Sequence, residues 1–449
     1  MDNTGTRSAV GQLVSNYGMA GVLLLLCVYY SWATLQYQTP AGAAAGELVA
    51  TRIAGMVDRG TTVVIVAGRS ADDRAFAERV QAVLQAKGCA RLEQVEGDPA
   101  IVLAAFQARA DKAGDVAAIA SAASCTGWLE SMVRRFPSLA NTKLVSPEPY
   151  RWPTFLQTEN LLNVADQIVV IALIAVGMTM VIVTGGIDLS VGSLVALSAV
   201  VTALLIRDVG GATRAGTMNL VLCSLGGIAV SGVVGLFSGV VITWFRIPPF
   251  IATLAMMQVA SGVAYILSAG QSIYEIPPSF VWLGRGTGPW SIPNAVLLMA
   301  GIYVVAHVVM SHTAFGRYVY AVGGNAEAAR LSGVRVGRVL LLVYLLSGLM
   351  AGVGGVVVAS QLKSGSPTYG LSYELYVIAA VVVGGTSLSG GSGKILGTLI
   401  GAFIIAVIQN GMNLTKVESY RQKVVLGLVI LGAVLLDMLR KRGWNLRRQ

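Results

Sequence analysis

Asp188 lies in T-G-G-I-D-L-S-V-G, residues 184–192, with Gly185, Gly186, Ser190 and Gly192 around it and an apolar run on either side, 168–183 and 194–206. Glycines there release backbone groups from the helical ladder, and hydrocarbon offers those groups no partners. Such a break is expected only where protein or a water-filled path receives it, as in transporters built on discontinuous helices. An ionisable side chain in or beside an apolar segment is a functional candidate by default. Three roles are open to Asp188: contact with a solute hydroxyl, acceptance of the amides freed in its own turn, or a place in an exposed interhelical loop.

A second constellation is G-G-N-A-E-A-A-R-L-S-G, residues 323–333. Gly323 and Gly324 precede Asn325, a favoured N-cap; Ala326, Ala328 and Ala329 are strong helix formers; Glu327 and Arg330 sit at the ends that suit their charges; and Gly333 is a stop. The pattern predicts a short capped helix, either one that seats on a partner or an ordinary interfacial helix. Gln258, Ser261, Asn410 and Asn413 place amides and a hydroxyl inside apolar runs. They could line a path for a hydroxyl-rich solute, or equally bond to neighbouring helices.

Enzymatic chemistry is not indicated. The membrane part has no paired carboxylates in a catalytic pattern, no Ser/His/Asp arrangement and no metal-ligand spacing, and its two histidines, His307 and His312, share one apolar run. L-S-G-G at 388–391 and Gly393-Lys394 imitate ATPase motifs, but Leu388 stands where the first phosphate-loop glycine belongs and Ile395 where Ser or Thr would hold magnesium. No cofactor is expected in this chain.

These residues need helices to position them. The 449 residues are 55% apolar and only 12% charged, with a mean hydropathy of +0.70, against about 25% charge in soluble domains. That composition predicts an α-helical polytopic membrane protein. Runs long enough for roughly 30 Å of hydrocarbon number ten: 17–35, 161–183, 190–206, 219–245, 250–267, 294–312, 339–360, 373–388, 395–413 and 423–439. No A-x-A cleavage pattern follows the first, so it reads as a retained helix.

Between residues 40 and 150, 12 basic residues balance 12 acidic ones, so the net charge of +10 belongs to the rest of the chain. Arg317, Arg330, Arg335 and Arg338 collect in the loop 313–338, and Arg440, Lys441, Arg442, Arg447 and Arg448 in the tail. Such clusters mark cytoplasmic loops beside membrane lipid rather than nucleic-acid binding. Ten spans put both clusters and the N-terminus on that side. The expected organisation is therefore 1–39, a cytoplasmic N-terminus and first helix; 40–150, a periplasmic insertion; and 151–449, the membrane domain.

The insertion alternates strands and helices: strands at 61–67, 91–95, 116–120 and 143–146, helices at 71–87, 99–112 and 127–136. That order implies a small α/β domain with a parallel sheet. Cys89 and Cys125 both lie in it, as a possible disulfide or as two small buried thiols. Glycine pairs at 235/239, 348/352 and 397/401 allow close helix contact, within the chain or at a dimer or moving seam.

Several stretches resemble the ribose-type permease family of bacterial ABC importers, which import monosaccharides. They are F-L-Q-T-E-N-L-L-N-V (155–164), A-V-G-M-T-M-V-I-V (175–183), T-G-G-I-D-L-S-V-G-S (184–193), I-P-P-F-I-A-T-L-A-M-M (247–257), G-R-Y-V-Y-A-V-G-G-N-A-E-A-A-R-L-S-G-V (316–334) and V-V-V-G-G-T-S-L-S-G-G-S-G (381–393). The resemblance runs from about residue 153 to the C-terminus. It implies an inner-membrane subunit that works with a second permease copy, a cytoplasmic ATPase that binds ATP and Mg, and a periplasmic solute-binding protein. In that reading the 325–333 helix seats in the ATPase. Charge counting puts 184–190 near the cytoplasmic side, which favours a structural or gating role for Asp188 over sugar contact. Family members usually have a short loop where this chain has residues 40–150; the insertion looks like part of a sugar-binding lobe that could dock the binding protein, or a passive ornament. The rivals are an ATP-independent secondary transporter and a membrane-anchored solute receptor. A secondary transporter would need intramembrane charge for ion coupling, and beyond Asp188 the helices offer only Asp166, Glu374 and Asp437 near their ends.

Overall fold

The computed structural model describes residues 4–57, 61–88, 91–110, 116–139 and 142–445. It divides into two compact units: Met1–Thr34 with Thr154–Gln449, and Leu35–Pro153. The smaller unit is slightly wider at both ends than the expected 40–150.

The larger unit is helical. Its elements are α1 (Thr4–Ala33), and then, beyond the inserted unit, α6 (Thr158–Val183), α7 (Val191–Asp208), α8 (Thr217–Trp244), α9 (Pro249–Leu267), α10 (Val281–Arg285), α11 (Asn294–His312), α12 (Ala314–Gly324), α13 (Ala326–Leu331), α14 (Val336–Leu362), α15 (Tyr373–Val383), α16 (Ile395–Leu414) and α17 (Ser419–Asn445). Each of the ten expected runs falls on one of these. Seven of the described helices, α6, α7, α8, α9, α11, α14 and α16, are long and apolar enough to cross a membrane; the apolar part of α1, Gly18–Ala33, and α15 are shorter. The loop 313–338 is more ordered than the sequence suggests, holding α12 as well as the expected capped helix, α13.

α6 is the centre of this unit. Its apolar stretch is 89% buried, and it packs against α14, α16, α15 and α11. A helix apolar on every face belongs inside a bundle. By contrast α9 and α11 leave most of their apolar stretch unburied, with Ile266 and Val304 outward. The glycine pairs serve packing within the chain: a Cβ on Gly348 would come within 3.1 Å of Gly235 Cα, so α8 and α14 touch backbone to backbone.

The smaller unit contains β1 (Leu35–Gln38), α2 (Gly42–Ala54), β2 (Thr62–Ala67), α3 (Ala71–Ala86), β3 (Arg91–Glu96), α4 (Pro99–Ala110), β4 (Val116–Ser121), α5 (Thr126–Val133), β5 (Lys143–Val145) and β6 (Tyr150–Pro153). The sheet order is β3-β2-β4-β5, parallel throughout. All six residues of β2 are buried, as expected of an interior parallel strand covered on both faces. Ser70 caps α3 by accepting the Asp73 amide at 3.0 Å. Three elements exceed the expectation. β1 and β6 form an antiparallel ribbon where the chain enters and leaves, and α2 buries Ala45, Val49 and Ile53. The small residues of A-G-A-A-A-G hide that helical stripe in the sequence.

Candidate functional site

The break between α6 and α7 is a closed turn. Gly185 has φ +81, a left-handed conformation that glycine adopts without strain, and the Gly185 and Gly186 amides donate back to Ile182 and Val181 carbonyls at 2.9 and 3.0 Å. These two bonds close the end of α6 as a Schellman cap. Asp188 then accepts three hydrogen bonds in full burial: Oδ1 takes the Ser190 amide at 3.0 Å and the Ser190 hydroxyl at 2.6 Å, and Oδ2 takes the Ser347 hydroxyl of α14 at 2.7 Å. The Ile187 carbonyl takes the Thr253 hydroxyl of α9 at 3.1 Å. Hydrocarbon cannot satisfy these groups; the turn and two neighbouring helices do. Tyr344, fully buried on α14, places its hydroxyl against Gly186.

The second constellation meets the first at the end of α6. Asn325 Oδ1 accepts the Ala328 amide at 3.0 Å, making the expected cap on α13, and Glu327 pairs with Arg330 at 2.6 Å on the exposed face. Gly333 has φ +85 and ends the element. Gly323 packs so closely that a Cβ there would overlap the Val183 carbonyl oxygen. That carbonyl accepts the Gly391 amide at 2.8 Å, and Tyr320 of α12 donates to the Gly393 carbonyl at 2.8 Å. The last turn of α6, the start of the 323–333 segment and the 384–393 loop are thus one backbone-to-backbone seam.

That loop repeats the first turn. Gly385 and Thr386 amides donate to Val382 and Val381 carbonyls at 2.9 and 3.1 Å, with Gly385 at φ +89. G-G-T-S-L-S at 384–389 resembles G-G-I-D-L-S at 185–190, one residue out of register with the two caps, since the left-handed glycine is the first of its pair at Gly185 and the second at Gly385; as Asp188 accepts the Ser190 amide, Ser387 Oγ accepts the Ser389 amide at 3.3 Å. The repeat is visible in the sequence once the ATPase-like reading of L-S-G-G is set aside.

The four path candidates do not form one lining. Asn410 is buried in a reciprocal amide pair with Asn160 of α6, at 3.1 and 2.9 Å, so it takes the interhelical alternative. Asn413 accepts the Gln422 amide at 2.8 Å. Gln258 is exposed and Ser261 half-buried on α9, which packs on α7 and α8, whereas α16 packs on α15, α6 and α1. Gly192 lies against Gly370 and Glu374, where a Cβ would come 2.6 Å from the Glu374 carboxylate. In the smaller unit Cys125 is a free, buried thiol, pushed above the ordinary thiol range chiefly by burial; Cys89 lies outside the described residues. No cluster able to hold a metal occurs among the described residues. Ser347 carries a bond of the site yet is unremarkable in sequence, since a lone polar residue in an apolar helix has no local signature; Asn160 and Thr253 lie within stretches quoted for the resemblance, which do not say what either side chain touches.

Residues 160–434 match the family described as the permease component of branched-chain amino acid transport systems, which takes in every one of these contacts in the membrane unit. The chain belongs to this family of ABC permeases. Its relatives include the ribose import permease protein RbsC of Escherichia coli K12, 43% identical over 289 residues that span 64% of this chain and 87% of the relative. The Bacillus subtilis 168 ribose import permease is 45% identical over 286 residues, 64% and 86% of the two chains. An L-arabinose permease of Azospirillum brasilense is 39% identical over 289 residues, 64% and 83%. No solved structure matches. The permease is therefore a multi-pass transport subunit of ribose type, not an enzyme, and the family match leaves the Leu35–Pro153 unit outside it.

Proposed function

We propose that this permease is the membrane subunit of an ATP-driven importer for a monosaccharide or a similar small polyhydroxyl solute. A separate cytoplasmic ATPase binds ATP and Mg, and a periplasmic binding protein delivers the solute to a pair of permease subunits. Ten spans in the bacterial inner membrane put both termini and α13 in the cytoplasm and the α/β unit in the periplasm. The supporting observation is the seam at Val183. The ATPase presses on α13; the backbone contacts of Gly323 and Gly391 with Val183 carry that displacement to the α6 turn, and α14, which follows α13 directly, carries it to Asp188 through Ser347. A rigid seam with no intervening side chains passes on small shifts without absorbing them. Asp188 then holds the gate together and the solute is bound elsewhere, with Gln258 and Ser261 on exposed α9 the remaining candidates.

The test is co-expression with an ATPase subunit and uptake in proteoliposomes. Stable co-purification and uptake that requires ATP are expected; uptake without ATP, in the absence of any associated ATPase, would overturn the reading. The inserted unit is proposed to dock the binding protein. Replacing residues 44–147 by a short linker should lower binding-protein-dependent uptake, and unchanged uptake would leave the unit without a docking role.

A further inference from the structure

At one end of the α8–α14 seam lies a pocket of about 540 Å³ walled by Thr243 and Trp244 of α8, Arg330 of α13, and Arg335, Arg338 and Leu341 at the start of α14. Arg330 is paired with Glu327. Neither Arg335 nor Arg338 makes an ion pair among the described residues. Both guanidinium groups stand at the N-terminal end of a 27-residue helix, where the helix dipole adds to their positive field. Two arginines that make no ion pair among the described residues, beside the Glu327-paired Arg330, give this concave surface a positive charge that calls for an anion with several acceptor oxygens, and arginine favours phosphate geometry.

The surroundings say what the anion is attached to. Trp244, 75% exposed, is the last residue of a 28-residue apolar helix, and Phe245 beside it is 71% exposed. Aromatic rings in that position mark the boundary between hydrocarbon and water. Two turns back on the same side of α8, Phe237 is 53% exposed, and one turn beyond Arg338 on α14, Leu342 is 46% exposed. The charged pocket therefore opens onto an apolar stripe on both of its helices. A soluble acidic segment would match the charge and leave the stripe unused.

We propose that this pocket binds the phosphodiester headgroup of an anionic phospholipid, with an acyl chain along the Phe237 and Leu342 stripes. Because Arg330 and Gly333 belong to the 323–333 segment, the bound lipid braces that segment against α8 and α14.

The test uses the full chain in bilayer discs containing phosphatidylglycerol, with retained lipid counted by native mass spectrometry. At about 1 kcal/mol per basic side chain near an anionic surface, R335Q/R338Q should weaken phosphatidylglycerol retention about 30-fold, and R338Q alone about fivefold. R335K/R338K should retain much of it. R317Q, an exposed arginine outside the pocket, should change nothing. Equal retention in R335Q/R338Q and the unaltered chain would overturn the proposal. So would displacement of the lipid by millimolar inorganic phosphate, which would make the site a phosphate site. Loss of ATPase co-purification with lipid retention intact would assign the pocket to the partner protein instead.

Discussion

The Asp188 carboxylate and the Ser347 hydroxyl, 159 residues apart in the chain, meet at 2.7 Å in full burial. This bond ties the turn between α6 and α7 to the helix that continues from α13. The 184–190 turn is thereby fastened to the element that follows the 323–333 segment.

Removing one partner should be costly. Ser347→Ala leaves a carboxylate oxygen enclosed without its donor, at about 1–3 kcal/mol. Asp188→Asn should cost a similar amount, and the double variant less than the sum, with a coupling of about 0.5–3 kcal/mol. Thermal unfolding of the purified permease measures this. Tyr344→Phe should be close to neutral, because its buried hydroxyl has no partner among the described residues. Additive losses from Asp188 and Ser347 would mean that their bond is not what holds the turn.

Gly323 and Gly324 are neighbours with opposite expectations. Gly323→Ala drives a methyl group into the Val183 carbonyl and must open the seam, whereas a Cβ at Gly324 meets nothing within 4 Å. Uptake in proteoliposomes should fall at least tenfold, the equivalent of about 1.4 kcal/mol, for Gly323→Ala and little for Gly324→Ala. Equal behaviour of the two would argue against coupling through the seam.

The cap on α13 is separable from its surface charge. Asn325→Ala removes the acceptor for the Ala328 amide and should cost the short helix about 0.5–2 kcal/mol. Glu327→Gln breaks an exposed pair of the kind worth at most about 1 kcal/mol. Solute-stimulated ATP hydrolysis in the assembled transporter should therefore drop more for Asn325→Ala. A larger loss from Glu327→Gln would point to direct recognition of the carboxylate.

The amide pair predicts a stability change without a change of substrate. Asn410→Ala leaves the buried Asn160 side chain with only its bond to the Phe155 carbonyl, at about 1–3 kcal/mol, and replacing both by Leu should recover part of that loss. Apparent solute affinity should not shift in either variant. A changed affinity would return Asn410 to the solute path. Gln258→Ala should do the reverse, leaving unfolding unaltered while lowering uptake.

Local chemistry determined a great deal here. Hydropathy located the helices, because an apolar run of sufficient length has few alternatives to a helix in hydrocarbon. Asn325 and Gly333 bounded α13, because caps act on amides and dihedrals within a few residues. β2 to β5 and α3 to α5 were legible for the same reason, from period and turn residues. The tertiary structure alone decided which polar groups meet. Asp188 could have faced a solute, its own turn or solvent; Ser347, which the sequence does not mark, decided for burial. Asn410 is of a type and place that could line a path, and Asn160, 250 residues earlier, takes up its amide instead. Spacing along a helix states which side a residue is on, and only the packing of other helices states what that side touches. The close approach of Gly323 to Val183 is of the same kind, since a glycine is silent in sequence about which backbone it admits.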